Sequence, residues 1–376
     1  MKIVFTGGGT GGHIFPIIAV ARELKTICIQ KKEKLEMFFI GPGDNNLVKT
    51  LNKENIFVKI IPAGKLRRYF SFKNISDILF KIPAGIFKAR VFLMKIRPDV
   101  IFSKGGYGSL PVVYAAKILD IPVIVHESDA AVGMANSKAF KSAKIIMTGF
   151  PLTNNLAPKE KTIFLGNPLR KELLDGKKEE GIKIFKITQQ KPILLVLGGS
   201  QGAVRINNAV LESLNNILDF FEIIHQCGDA NFEEMKMQSN IIFQQNPEKE
   251  KYYHLYGFLN EEQMKHALKI SNLVITRAGA GTIFEILACG IPSILVPLKE
   301  SAQNHQQKNA YFVQERGAGI VVEEQNLMPN YLIERLKRFF SSPDILKEMS
   351  KKALEISIPN SAYRIADLII DFVKKN

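Results

Sequence analysis

The chain of 376 residues is poor in several things, and each scarcity removes a class of protein. Only three cysteines occur, Cys28, Cys227 and Cys289, an odd set with no Cys-x-x-Cys pair. That argues against a disulfide framework and for a reducing compartment. No run approaches the roughly 18–20 consecutive apolar residues that a membrane span needs. The N-terminus offers one lysine and then glycines, so neither a signal peptide nor a transit peptide is expected. The G-x-x-x-x-G-K-[ST] run of P-loop enzymes is missing, as is the H-E-x-x-H pair of zinc hydrolases. Acids are scarce in one half only. Residues 1–163 hold 25 Lys and Arg against 11 Asp and Glu, whereas residues 164–376 hold 26 against 25. Within the first half, residues 59–97 carry ten basic side chains and one acid, Asp77. An imbalance of this kind implies that one half faces something anionic.

What is present reads as a globular protein, 46% hydrophobic and 23% charged, long enough for two domains. Short β-branched or aromatic runs alternate with helical patterns. Strands are expected at Lys2–Thr6, Met37–Ile40, Phe57–Ile61, Val100–Ser103, Pro122–His126 and Lys144–Thr148. After a break come Ile193–Leu197, Glu222–Gln226, Leu273–Thr276 and Ser293–Val296. Helical spacing occupies Leu110–Leu119, Ala203–Leu218 and Thr282–Ala288. The alternation predicts an α/β fold of parallel sheets with helices on both faces. The Pro- and Asn-rich stretch before Arg170 marks a boundary near 160–170.

A glycine-rich turn recurs four times between a strand and a helix: FTGGGTGGH, FSKGGYGSLP, VLGGSQGA and ITRAGAGT. One such turn is most simply a tight connection. Four, in two similar halves, predict ligand-binding turns at the carboxyl ends of the strands, lining a cleft with backbone donors. Gly7, Gly9 and Gly12 even satisfy the dinucleotide spacing G-x-G-x-x-G. A nicotinamide or flavin enzyme, however, needs an acid closing its second strand, and here that strand ends FFIGPGD, with Gly41 in the acid's place. A ribose-binding acid is available instead at Glu285, four residues after Gly281 and read as lying on the first helical turn. There it serves equally well as a partner of the helix dipole.

Over essentially the whole chain, GGGTGGHIFP, GGYGSLP, HES, GNPLR, GGSQGA, RAGAGTIFE and HQQKNA follow the order seen in the MurG glycosyltransferases, which this sequence resembles. Those enzymes move N-acetylglucosamine from UDP-N-acetylglucosamine to undecaprenyl-pyrophosphoryl-N-acetylmuramyl-pentapeptide. The resemblance implies a GT-B fold of two Rossmann-like domains. The boundaries expected are 1–163 for the acceptor and membrane-facing domain and 164–355 for the donor domain. A helix in 356–376 would return to the first. It further implies donor contacts from Thr10, Gly11, Gly12, Asp129, Arg170, Ser200, Leu259, Ala280, Gly281, Thr282, Glu285 and Gln306. Glu285 would hold the ribose, the backbone of Leu259 the uracil edge and Gln306 the sugar hydroxyls. Gly105, Gly106 and Tyr107 would meet the acceptor. One departure stands out: the family usually follows its His–Glu pair with Gln–Asn, and this chain has Ser128–Asp129. An amide donates and accepts, whereas an ionised Asp only accepts.

Inverting transfer requires that the departing UDP be stabilised and that the acceptor hydroxyl lose a proton. Many glycosyltransferases meet the first need with a metal held by Asp-x-Asp. No Asp-x-Asp occurs here, so neither metal nor cofactor is expected, and glycine-turn amides at helix N-termini take that role. For the second need the candidates are His13 and Glu127. His13 is otherwise a polar helix-start residue, and Glu127 either the base or an orienting group for His13. His126, on an apolar strand, reads as a satisfied core histidine. The basic segment matches no nucleic-acid motif. With its Phe and Leu it suits an anionic membrane surface, about 1 kcal/mol per basic residue. That places the protein peripherally on the cytoplasmic face of the plasma membrane. A diacylglycerol-type glycosyltransferase, a UDP-N-acetylglucosamine 2-epimerase and a nonenzymatic nucleotide-sugar- or lipid-binding protein remain as rivals.

Overall fold

A computed structural model of the chain describes residues 1–8, 11–64, 80–151, 157–198 and 202–376. They form two compact units, Met1–Arg170 with Ile358–Asn376, and Lys171–Ser357.

In the first unit, β1 (Lys2–Thr6), β2 (Glu36–Gly41), β3 (Ile56–Ile60), β4 (Val100–Ser103), β5 (Val123–Glu127), β6 (Ile145–Thr148) and β7 (Thr162–Phe164) make one sheet. Its order is β3-β2-β1-β4-β5-β6-β7, and every pairing is parallel. Helices cover both faces, so the central strands are continuous apolar runs rather than alternating ones. The two-residue period then sorts side chains between two cores. Ile3 and Phe5 join Ile17, Leu24 and the C-terminal Ile365 and Ile369, while Val4 joins Ile101, Val112 and Leu93 on the opposite face. The helix Ser361–Lys375 thus packs on the helix Gly11–Gln30 within this unit. Asp44, the acid that follows β2, caps the helix Asn45–Lys53 by accepting the Leu47 N–H at 2.9 Å.

The second unit repeats the scheme. The strands β8 (Ile193–Leu197), β9 (Glu222–Gln226), β10 (Tyr253–Tyr256), β11 (Leu273–Thr276), β12 (Ser293–Leu295) and β13 (Gly319–Val321) pair in the order β10-β9-β8-β11-β12-β13. Again all pairings are parallel. Each unit therefore starts at a central strand and winds outward both ways, the doubly wound order. The order reverses between β1 and β4 in one unit and between β8 and β11 in the other. Four glycine turns lie at the carboxyl ends of these four strands, where such sheets bind ligands.

Three strands were not expected from sequence: β7, β10 and β13. Each is a sheet edge of three or four residues. Such short edges owe their pairing to a neighbour rather than to an apolar run of their own. The run Ala203–Leu218 divides at the buried Ser213 into Val204–Glu212 and Leu214–Ile217. The following glycine-turn helix begins at Ala280, two residues earlier than its apolar spacing indicates. Among the described residues no helix is long and apolar enough to cross a membrane.

Candidate active site

At the end of β1 the chain passes Gly7 and Gly8 and enters its helix at Gly11; after β4 it turns through Lys104, Gly105 and Gly106. Gly105 and Gly106 have φ of +82° and +78°, which an L side chain adopts only with strain. A Cβ on Gly8 would sit 2.9 Å from His13 Nδ1, and one on Gly106 would sit 2.9 Å from His13 Nε2. Both glycines thus make room for the imidazole. Burial, then the charge of Lys104, push the His13 pKa down to about 4, with Asp129 pulling the other way. The ring is therefore neutral at physiological pH and keeps one nitrogen able to accept a proton. The carboxylate that acts on His13 is Asp129. On sequence, Glu127 is a candidate for the base or for the group that orients His13.

Glu127 is occupied differently. Its carboxylate accepts the Gly133 N–H at 2.9 Å, the Asn136 amide at 2.9 Å and the Asp129 N–H at 3.2 Å. Burial, with Asp129 beside it, raises its pKa. It braces the turn that leads from β5 into the helix Met134–Ala139.

Lys104, which carried no role in the sequence, is 2% exposed. Its Nζ donates to His126 Nδ1 at 2.9 Å, to Asn167 Oδ1 at 3.2 Å and to Ser128 Oγ. Three hydrogens meet three neutral acceptors, so the ammonium is fully bonded. His126 then carries its proton on Nε2, which donates to the Gly166 carbonyl at 3.0 Å. It is a satisfied, neutral core histidine, its pKa held well down by burial and by Lys104. Lys104 itself is driven to about 8 by burial, against the opposing pull of Glu127 and Asp129.

In the second unit Gly279 ends the turn after β11 with φ −71°, and the helix starts at Ala280. Nothing among the described residues lies within 4 Å of where a Cβ on Gly279 or Gly281 would be, and neither has a positive φ. Neither packing nor backbone conformation asks for glycine there. What glycine supplies is clear space against the first amides of a helix. Thr282 is the third residue of that helix and Glu285 the sixth, so Glu285 lies on the second turn, not the first as expected. A carboxylate that far along gains little from the helix dipole, which fades within one turn. This weakens the alternative explanation for an acid at that position.

The turn is pinned from behind. Asn309 Nδ2 donates to the Ala278 carbonyl at 3.1 Å, and Arg277 reaches the Val296 carbonyl at 3.3 Å. Arg277 also pairs with the buried Glu324, whose other oxygen meets Arg205 Nη1 at 2.7 Å. Leu259, 2% exposed, donates its N–H to Gln226 Oε1 at 3.0 Å, and Gln306 Oε1 accepts the Leu298 N–H at 3.0 Å. Just before Gln306, Gln303 and Asn304 hold φ of 57° and 55°. Consecutive left-handed non-glycine residues store strain of the kind found at functional sites.

Of the expected residues, the first unit gathers His13, Glu127, Asp129, Gly105 and Gly106, with Tyr107 half-buried beside them, while Gly11 and Gly12 open the helix. The second holds Leu259, Ala280, Gly281, Thr282, Glu285 and Gln306. Thr10 and Ser200 lie outside the described residues. Arg170, counted with the donor domain on sequence, closes the first unit, buried with its guanidinium 4.3 Å over the Phe15 ring. Among the described residues no three His, Cys, Asp or Glu side chains converge as a metal site.

Two doubly wound units with glycine turns at both switch points make a nucleotide-binding layout. The glycosyltransferase family 28 N-terminal domain matches residues 3–148 and its C-terminal domain residues 193–369. A Clostridium botulinum (strain 657 / Type Ba4) protein is 39% identical over 375 residues, covering 99% of both chains. It is named UDP-N-acetylglucosamine--N-acetylmuramyl-(pentapeptide) pyrophosphoryl-undecaprenol N-acetylglucosamine transferase. A Clostridium tetani protein of the same name is 36% identical, covering 100% of this chain and 98% of its own. The crystal structure of Acinetobacter baumannii MurG superposes with a TM-score of 0.70 at 26% identity, covering 98% of this chain and 99% of that one. The chain belongs to the MurG family of N-acetylglucosamine transferases.

Proposed function

We propose that this chain transfers N-acetylglucosamine from UDP-N-acetylglucosamine to the muramyl 4-hydroxyl of undecaprenyl-pyrophosphoryl-N-acetylmuramyl-pentapeptide, with inversion. Its full-length relatives carry that activity in their names. The observation that carries the site assignment is the clear space at Gly279 and Gly281 in front of helix amides. A diphosphate has negative oxygens to present to such amides, and leaving UDP gains charge as the glycosidic bond breaks. In this reading Lys171–Ser357 is the donor unit. Thr282 and the first amides of its helix take the diphosphate, and Glu285 accepts from the ribose hydroxyls. The carbonyl of Leu259 reads the base, since its N–H is given to Gln226. Gln306 reads the sugar. Ser200 and Thr10 are assigned to the donor on sequence alone.

Met1–Arg170 then serves the acceptor, with Gly105, Gly106 and Tyr107 beside it and neutral His13 as the base. Glu127 shapes the neighbouring turn. The membrane-facing surface is the helix Ile82–Ile96. It buries Gly85, Ala89 and Leu93 and exposes Phe87, Val91 and Met94 among Lys88, Arg90 and Lys95, with Phe80 exposed just before it. Gly85 lets this helix press close, since a Cβ there would come 2.3 Å from the Pro62 carbonyl. Ile75 and Leu79, expected on the same helical stripe, lie outside the described residues. Apolar and basic side chains on one face suit an anionic lipid headgroup layer, which supports a peripheral position on the cytoplasmic face of the membrane.

The test is transfer of labelled N-acetylglucosamine to a lipid-linked muramyl-pentapeptide analogue. Label appearing in a disaccharide product supports the reading. Epimerised UDP-sugar without transfer, or nucleotide binding without turnover, contradicts it. Retention on anionic vesicles should fall with added salt; equal retention at low and high salt removes the membrane assignment.

A further inference from the structure

The second sheet runs β8-β11-β12-β13 on one side, and a single carboxylate spans those four strands at their carboxyl ends. Glu324 lies three residues past β13, its side chain 3% exposed. One of its oxygens meets Nη2 of Arg277, the residue that follows β11. The other meets Nη1 of Arg205 at 2.7 Å, and Arg205 is the second residue of the helix after β8. Arg277 also donates to the carbonyl of Val296, just past β12, at 3.3 Å. Elements from four adjacent strands, about 14 Å across at about 4.8 Å per spacing, are thus tied together beyond the strand ends. The anchor of this strap is itself held: the neighbouring Glu323 accepts from the Tyr311 hydroxyl, on the helix His305–Glu315, at 2.9 Å.

A buried carboxylate between two guanidiniums is weak evidence for stability, since apolar side chains of similar volume often serve a fold as well. What it supplies is direction, because each oxygen fixes one donor in a set geometry. The segments so fixed, the glycine turn after β11 and the start of the helix after β8, flank the switch point of the sheet. We propose that Glu324 is a positioning residue for the donor, holding these two segments at one spacing so that both face the UDP diphosphate together. This rests on Lys171–Ser357 being the donor unit, as proposed above.

The experiment measures UDP affinity of the full chain by calorimetry, with steady-state kinetics in each substrate beside it. Arg205→Met cuts only the arm to the helix after β8, on a side chain 60% exposed, so melting should stay nearly unchanged. It should weaken UDP binding about fivefold, with acceptor KM within about twofold. Glu324→Met keeps the side-chain length, releases both arms and should weaken UDP binding about tenfold or more. The double variant should stay within about twofold of Glu324→Met, because Arg205 acts only through Glu324. A role in folding alone would not confine the loss to the donor. Unchanged UDP affinity in both single variants, or a loss shared equally by donor and acceptor, overturns the proposal. Tighter UDP binding also overturns it, since Glu324 would then compete with the diphosphate for the arginines. So do losses that multiply in the double variant, since Arg205 would then act on the donor by itself. Where Glu324→Met fails to fold by circular dichroism, Glu324→Gln takes its place and the same outcomes decide. Its one acceptor oxygen stays with Arg277, which Val296 also holds, and the exposed Arg205 is let go. A parent chain that binds no UDP contradicts the donor assignment itself, and the proposal falls with it.

Discussion

In the first unit the space beside Gly8 and Gly106 is taken by the His13 ring, whereas in the second the space beside Gly279 and Gly281 meets no protein atom among the described residues. The same device, a glycine turn at the end of a central parallel strand, packs a side chain at Gly8 and Gly106 and leaves backbone bare at Gly279 and Gly281, as it also does at Gly12 in the first unit. The electrostatics differ as well. The first unit gathers the buried Lys104, His126 and Glu127 with the half-buried His13 and Asp129. The second keeps its charged pairs, Arg277 and Arg205 on Glu324, behind the turn. A motif written in glycines therefore does not state its own purpose. What stands where each missing Cβ would be does.

The contrast can be broken most sharply with two truncations. His13→Ala should lower kcat by about 10²–10⁴-fold with little change in donor KM, as for loss of a general base. Glu285→Ala should raise donor KM about 10–100-fold with acceptor KM nearly constant, as for loss of a charged hydrogen-bond acceptor. Steady-state kinetics with each substrate varied separates the two. Exchanged patterns would reverse the roles of the units.

A smaller effect sharpens the comparison of the turns themselves. Gly8→Ala drives a methyl group into the imidazole and should cost about 1–3 kcal/mol of stability, read as a lower melting temperature. Gly281→Ala meets no protein atom and should leave melting unchanged or slightly raised, because alanine is the better helix residue. Its cost should fall instead on UDP affinity. Equal destabilisation by the two would remove the distinction.

The last is a pH effect common to both units. His13 is held near 4 and His225, buried between Asn207 and Tyr253, near 3, both below the ordinary histidine value of 6.5. The unfolded chain then binds more protons than the native one as pH falls below about 6.5. Stability is fully present above that pH and declines toward pH 4. Urea midpoints at pH 7 and pH 5 should show the decline; a flat profile contradicts neutral, buried rings.

Much of this was legible in residue patterns. The central strands are apolar runs bounded by glycine, so they could be placed to within a residue or so. The edge strands β7, β10 and β13 could not, since their pairing comes from a neighbour. Glu285 was legible as an acid near a glycine turn, but its place on the second helical turn depends on the helix starting at Ala280. That start is fixed by Gly279 and by Asn309 holding the Ala278 carbonyl, a contact 31 residues away. Lys104 was not legible at all. A lysine beside two glycines reads as solvent-exposed, and only tertiary packing brings His126, Ser128 and Asn167 around its ammonium.

The claim on which everything turns is that bare main chain at Gly279–Thr282 receives the donor's diphosphate. Amide hydrogen exchange of the full chain with and without saturating UDP tests it directly. The account predicts slowed exchange across Gly279–Glu285 and little change at Gly105–Tyr107. Protection confined to Gly105–Tyr107, with Gly279–Glu285 exchanging as before, would contradict it.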